Sequence, residues 1–142
     1  MIGKYPARLD DKNRLFVPAK LRGELGEHFF VTVGVNCGHR CLTAYTAEDW
    51  EGLTGRFNQL PLSQRADASS LIFMNAVDCA PDKQFRFVLS SFLMQYAGIE
   101  RDVVIVGRAG QAEIWSAAEF EHFEQENLTP EKLLASLEAM GL

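Results

Sequence analysis

The stretch LDDKNRLFVPAKLRGEL, residues Leu9–Leu25, places a charged turn, a short strand and a short helix within seventeen residues. Asp10–Asn13 is typical of a tight turn, because Asp and Asn bond to the local backbone and tolerate left-handed conformations. Arg14–Val17 is predicted to be extended, and Pro18 suits the first position of a helix, where its missing N–H would be unpaired anyway. The basic side chains of the turn should therefore project from a rigid base.

The same stretch occurs a second time further along the chain. A later element also repeats, since Tyr45–Trp50 matches Trp115–Phe120 at an offset of 70 residues. We therefore predict two diverged copies of one unit, each reading strand, short helix, two strands and capped helix. At an offset of 72 residues the equivalent pairs are Asp10 and Asp82, Arg14 and Arg86, Leu15–Val17 and Phe87–Leu89, Leu21 and Leu93, and Gly26 and Gly98.

The order of these motifs carries a family resemblance. Asp-x-Lys-x-Arg followed by an aliphatic strand, a proline and a short helix resembles the SpoVT-AbrB type of DNA-binding unit. Two such copies joined by a helical spacer resemble the MraZ family of bacterial transcriptional regulators. The spacer LPLSQRADASSLIFMNAVDC (60–79) and the ending EIWSAAEFEHF (113–123) fit the same family. The resemblance covers roughly residues 1–125.

The resemblance implies an α+β fold. Its two SpoVT-AbrB-like repeats would be intertwined in a double-split β-barrel-like core with peripheral helices. Composition agrees with one shared core, because 47% of the residues are hydrophobic and two separate cores of about 50 residues would each be marginal. The predicted segments are repeat 1 at 5–52, a helical spacer at 53–78, repeat 2 at 79–124, and an acidic helical tail at 125–142.

Charge is distributed unevenly along the chain. The net charge is -5, yet residues 1–22 carry +4 while residues 119–142 carry -5. This asymmetry suggests a basic face and an acidic tail, although ordinary surface charge is an equal alternative on composition alone. The chain has no apolar run long enough for a membrane span and no apolar signal core. We therefore expect a cytoplasmic, nucleoid-associated protein without a membrane partner.

The two turn arginines, Arg14 and Arg86, are the leading candidates for DNA contact. A guanidinium group donates two parallel hydrogen bonds, which suits both phosphate oxygens and the guanine edge. The alternative is that each arginine only stiffens its turn by pairing with an aspartate, and both roles can hold together. Further candidates are Lys12, Arg8, Lys4, Lys20 and Lys83, with Asp10, Asp82 and Asn13 orienting the turns.

Copy two departs from the family pattern at two positions. Glycine is usual before the motif arginine, but Asn13 and Phe85 stand there, and Phe adopts left-handed backbone only at a cost. We therefore expect the second turn to have a different backbone or to expose its aromatic ring for a purpose. Ser90 replaces the usual proline and can act as an N-cap. Copy two also has only Lys83 and Arg86 as basic groups near its motif. Together these differences predict that Arg14→Ala weakens DNA binding more than Arg86→Ala.

The segment Cys37–Cys41 raises the question of a metal site. Cys37, His39 and Cys41 offer three ligands that Cys79 or His28 would complete, but their spacing is not that of a standard zinc site. We expect neither bound metal nor any other cofactor. The sequence also lacks a phosphate loop, a nucleophile elbow and a histidine-bearing metal motif, so we expect no enzyme.

By resemblance, the chain is a sequence-specific DNA-binding regulator, with repression as the usual outcome. Its target would be double-stranded promoter DNA with direct repeats, upstream of the division and cell-wall gene cluster. The family assembles into rings, so a ring-shaped homo-oligomer is expected, and head-to-tail contacts suit direct repeats. The alternative is an antitoxin-type interaction module in which the C-terminal tail, residues 129–142, wraps a partner.

Overall fold

The computed structural model describes the whole chain, residues 1–142. It contains eight strands and six α-helices, so the predicted α+β class is confirmed. The strands are β1 (Ile2–Arg8), β2 (Arg14–Phe16), β3 (Phe29–Asn36), β4 (His39–Thr46), β5 (Val77–Cys79), β6 (Arg86–Val88), β7 (Asp102–Arg108) and β8 (Gln111–Ser116). The helices are α1 (Arg22–Leu25), α2 (Ala47–Asn58), α3 (Leu62–Ala68), α4 (Ser91–Ala97), α5 (Ala117–Asn127) and α6 (Pro130–Ala139).

Six strands form one antiparallel sheet in the order β1-β7-β8-β4-β3-β5. The order reads the same from either end once each strand is exchanged for its equivalent in the other copy. The first strand of each copy pairs with the hairpin of the other, β1 with β7 and β5 with β3. The two hairpins meet at the centre, where β4 pairs with β8. The two copies are therefore interleaved within a single sheet.

The other two strands form a separate antiparallel ribbon of β2 and β6. Its register is symmetric, with Leu15 opposite Phe87 at the centre and an arginine near each end. The hydrogen-bonded strand orders of the sheet and the ribbon do not close on themselves. The barrel-like part of the sequence prediction is therefore not confirmed.

One hydrophobic core lies beneath both copies. A single cluster of 20 buried residues draws on strands and short helices from each half. Leu15 and Leu21 of copy one lie in it with Phe87 and Leu93 of copy two. The two halves therefore stabilise each other, in agreement with the shared core expected from composition.

Helices α2 and α3 contribute no buried residue to this core. Trp50 of α2 stacks on Phe30 with the ring centroids 4.8 Å apart, but no residue of α2 is fully buried. A π-helical turn, Ser69–Phe73, follows α3, and Phe73 packs its ring against Trp50 at 5.3 Å. The apolar residues of α2 thus form a partly exposed satellite cluster beside the core. No helix has both the length and the apolar character that crossing a membrane requires.

Candidate nucleic-acid interface

The turn of copy one is closed by the side chain of Asp10. Its Oδ1 accepts backbone hydrogen bonds from Lys12 and Arg14, each at 2.9 Å, and its Oδ2 accepts one from Arg14 Nε at 2.6 Å. Partial desolvation acts to raise the pKa of Asp10, but these hydrogen bonds and the arginine charge lower it to about 2. The carboxylate therefore fixes the turn and aims the arginine at once.

The turn of copy two repeats this geometry atom for atom. Asp82 Oδ1 accepts from the backbone N–H groups of Gln84 and Arg86 at 2.9 and 3.0 Å, and Oδ2 accepts from Arg86 Nε at 2.9 Å. The backbone hydrogen bond from Arg86 is the largest cause of the lowered pKa of Asp82. Asp10 and Asp82 thus make the same contacts, one carboxylate oxygen to the turn backbone and the other to the arginine.

The predicted difference in backbone between the two turns is wrong. Phe85 has a φ of 62°, close to the 58° of Asn13, so both residues occupy left-handed space. The four hydrogen bonds that close the turn around Phe85 hold it there in spite of the steric cost of its Cβ. The second possibility raised by the sequence fits, because the Phe85 side chain is exposed and carries a contact described below.

The two turns lie at the ends of one ribbon. Backbone hydrogen bonds join them reciprocally, from Val17 N to Phe85 O at 2.8 Å and from Leu89 N to Asn13 O at 2.9 Å. Leu15 and Phe87 point into the core, so the alternating positions of β2 and β6 face outward. That outer face, the ribbon face, consists of Arg14, Phe16, Arg86 and Val88.

The ribbon face mixes exposed apolar side chains with partly exposed arginines. Phe16 and Val88 expose 54% and 53% of their surface, while the side chains of Arg14 and Arg86 expose 28% and 22%. Each arginine uses only Nε in its ion pair with the turn aspartate. Both Nη groups of each guanidinium therefore stay free to bind an acceptor.

The other predicted basic residues divide into two groups. Lys12, Lys20 and Lys83 are exposed and form no ion pair, and the first and last of these lie in the turns. Lys4 and Arg8 lie on β1 and are paired instead. Lys4 Nζ is 2.5 Å from Glu124 Oε2, and Arg8 Nε is 3.7 Å from Asp102 Oδ1. Their charges are partly neutralised away from the ribbon face.

Arg22 is the residue near the interface that the site prediction missed. Its guanidinium carbon lies 4.0 Å from the ring centroid of Phe85, and its Nε donates to Val17 O at 2.9 Å. The sequence counts Arg22 in the basic N-terminal segment, but no local pattern relates it to a ring 63 positions away. Only the interleaving of the copies brings the two side chains together.

The cysteine–histidine segment does not form a metal site. Nowhere in residues 1–142 do three or more His, Cys, Asp or Glu side chains group as a metal ion requires. Cys37 is exposed while Cys41 is buried, and burial raises the pKa of Cys41 to about 12. His39 instead contacts α5, with Nδ1 at 2.6 Å from Glu119 and Nε2 at 2.6 Å from Glu126.

Comparison with known proteins places both copies in one family. A family model described as "MraZ protein, putative antitoxin-like" matches residues 1–71 and again residues 72–137. A protein of Clostridium tetani named "Transcriptional regulator MraZ" is 35% identical over 99% of both chains. Proteins of the same name from Lachnoclostridium phytofermentans and Thermoanaerobacter pseudethanolicus are 38% and 37% identical, over 89% and 87% of this chain.

Proposed function

The chain belongs to the MraZ family, and on that premise we propose that it is a DNA-binding transcriptional regulator. The resemblance stated from the motifs of the two turns is confirmed by the match of the family model to both copies. Relatives that align with nearly the whole chain are named transcriptional regulators. The role proposed here is binding, with no catalytic step.

The observation that carries this proposal is the pair of arginines on the ribbon face. Arg14 and Arg86 are held by identical carboxylate contacts and keep both Nη groups free. A guanidinium fixed in this way loses little side-chain entropy when it binds, and its two parallel donors match the guanine edge. Lys12, Lys20 and Lys83 would add phosphate contacts around it. Lys4 and Arg8 would contribute only after leaving their acidic partners.

We propose that the target is promoter DNA with direct repeats, upstream of the division and cell-wall gene cluster, and that binding represses transcription. Several chains in a ring would present several ribbon faces to successive repeats, and linked binding of this kind raises affinity steeply. Exposed apolar residues of the spacer, Leu62, Leu71 and Met74, support contacts between chains. We also propose that, within each chain of the ring, the β2–β6 ribbon and the main sheet together serve as the barrel-like core.

The proposed organisation follows the sequence prediction. The SpoVT-AbrB-like repeats occupy 5–52 and 79–124, the helical spacer 53–78 and the acidic tail 125–142. The tail also supports the second candidate function, an antitoxin-type interaction, because α6 has no buried residue and exposes Leu133 and Leu134. A regulator of this kind would be cytoplasmic and associated with the nucleoid.

Gel-shift titration against the DNA upstream of the protein's own gene tests the proposal. We expect discrete complexes, and we expect unrelated DNA to be a poor competitor for the bound protein. The logarithm of the binding constant should also fall linearly with the logarithm of salt concentration, because phosphate contacts release counterions. Equal affinity for unrelated DNA, or affinity that does not change with salt, would contradict a regulator that acts through this face.

A further inference from the structure

Arg22 connects copy one to the turn of copy two. Its guanidinium carbon lies 4.0 Å from the ring centroid of Phe85, and its Nε donates to the carbonyl of Val17. Val17 in turn donates its backbone N–H to Phe85 O. These contacts form a closed loop of three residues, so the position of Arg22 is fixed relative to the copy-two turn.

The contacts leave one edge of the guanidinium unused. Arginine carries five N–H donors, and Arg22 spends only the one on Nε within the chain. Its Nη1 and Nη2 groups form no hydrogen bond and no ion pair. A ring on one face and a carbonyl at one end hold the remaining edge in place, which prepares it for an acceptor with two oxygens.

The surroundings of this edge favour an anion. Arg22 and Lys83 line the same surface depression, together with Phe85. Of the two acidic residues there, Asp82 is already engaged by Arg86, and Glu27 is the only other carboxylate. Phe85 exposes 46% of its surface, so the depression is open to a large ligand such as a nucleic-acid backbone.

Copy one has no equivalent of this arrangement. The positions that correspond to Phe85 and Arg22 hold Asn13 and Met94. Copy two, in contrast, lacks a lysine at the position of Lys12, where Gln84 stands. The copy-two turn instead carries Lys83 where copy one has Asp11, so the arginine contributed by copy one adds a further basic group beside it.

We propose that Arg22 binds a DNA phosphate beside the copy-two turn and that Phe85 is its positioning residue. This inference rests on the proposed DNA-binding function. Phosphate contacts fix the register of a protein on DNA without reading its sequence. A glycine at position 85 would adopt the left-handed backbone without steric cost. Phenylalanine bears that cost and provides a ring that holds the Arg22 cation.

Salt-dependent binding measurements on Arg22→Ala test the proposal. We expect affinity for operator and unrelated DNA to fall equally, by about tenfold, as for loss of one charge-assisted hydrogen bond. The slope of log K against log salt should become shallower by about 0.9 for each bound chain. Arg56→Ala, which removes an exposed arginine of α2, is the matched control and should leave both quantities unchanged.

The role of Phe85 is tested by Phe85→Asn, which introduces the residue found in the copy-one turn. Asn tolerates left-handed backbone, so the turn is retained while the ring is lost. We expect weaker binding in the parent background and no further loss in the Arg22→Ala background. Additive losses would show that Phe85 acts on its own, and the positioning role would be wrong.

The failures of the two proposals are distinguishable. If the parent protein does not bind DNA, the proposed function fails. If the parent binds and Arg14→Ala weakens binding, but Arg22→Ala keeps the parent's affinity and salt slope, the present inference alone is overturned. A loss confined to operator DNA with an unchanged slope also overturns it. Arg22→Gln repeats the test with a polar side chain if Arg22→Ala melts well below the parent.

Discussion

The aspartate of each turn determines what its arginine can do. Asp10 and Asp82 use one carboxylate oxygen to close the backbone turn and the other to bind Nε of the arginine. The sequence leaves open whether the arginine stiffens the turn or contacts DNA. Because only Nε is engaged, the geometry is compatible with both roles in the same residue.

At this scale we predict similar losses for Arg14→Ala and Arg86→Ala. The sequence alone favours a larger loss for Arg14→Ala, because copy one has the fuller basic set, Asn13 in its turn and a proline after its strand. The part of that argument that rests on the turn backbone does not hold, since Asn13 and Phe85 both occupy left-handed space. Each variant should lose about 1–3 kcal/mol of binding free energy, as for one bidentate base contact. Gel shifts with both variants, and size-exclusion chromatography as the folding control, measure this. A loss several times larger for Arg14→Ala would restore the original ranking.

The lowered pKa of Asp10 predicts a loss of stability in acid. A carboxyl group whose folded pKa lies below its unfolded value of about 3.9 stabilises the fold above that pH. This contribution disappears as the pH falls toward the folded pKa of about 2. Asp10→Asn should therefore melt below the parent at pH 7 and approach it near pH 2. Circular-dichroism melts of both proteins across this pH range test the prediction. A difference in melting temperature that stays constant over the range would contradict it.

At the scale of elements, the sequence predicts what depends on local chemistry. Pro18 lies one residue before the 3-10 turn Ala19–Leu21, as its N-cap, and not at the first helical position predicted for it. Four later helices begin after residue types that favour the N-cap, Thr46, Ser90, Ser116 and Thr129, and each of these accepts a hydrogen bond from the N–H three residues on. These caps involve neighbours in the chain and need no tertiary information.

Elements that depend on distant partners are predicted less well. A glycine such as Gly34 usually weakens a strand, yet β3 continues to Asn36, because Gly34 and the residues after it pair with β4. The spacing of Trp50, Leu53 and Phe57 indicates a core face, but no residue of α2 is buried. The contact of Arg22 with Phe85 has no local signal at all.

His39 links the β3–β4 hairpin to α5 and predicts a loss of stability in base. Its hydrogen bonds to Glu119 and then to Glu126 raise its pKa, so the folded state favours the protonated ring. That contribution is complete below the unfolded pKa of about 6.5 and is lost as the pH rises through the raised value. His39→Gln should therefore flatten the dependence of the melting temperature on pH above 6.5.

The matched control for this prediction is His122→Gln. His122 lies on α5, the helix that His39 contacts, but its side chain is exposed and forms no hydrogen bond. We expect the His122→Gln protein to keep the parent's pH dependence. If both variants change it equally, the link between His39 and α5 is not its source.

For the whole molecule, we predict that the fold does not require the C-terminal helix. No residue of α6 is buried, and its side-chain hydrogen bonds are local, such as Lys132 Nζ to Asn127 Oδ1 at 2.6 Å. Deleting residues 129–142 should change the melting temperature by no more than a few degrees, since about 1 kcal/mol shifts it by roughly 2–4 °C in larger domains. DNA binding should persist, as measured by gel shift. Loss of binding would assign the tail a part in the interface.

The pairing of β1 with β7 also determines when the chain can fold during synthesis. Tyr5 is opposite Ile105, so β1 cannot pair until its partner strand has been synthesised a hundred residues later. At about 5–20 residues per second, the ribosome needs roughly 5–20 s to provide it. Until then the edge of β1 and the apolar side chains of copy one lack their partners, and the nascent chain exposes an aggregation-prone edge. During this interval β1 of one nascent chain is free to pair with that of another, and a chaperone that binds unfolded chains would shield it.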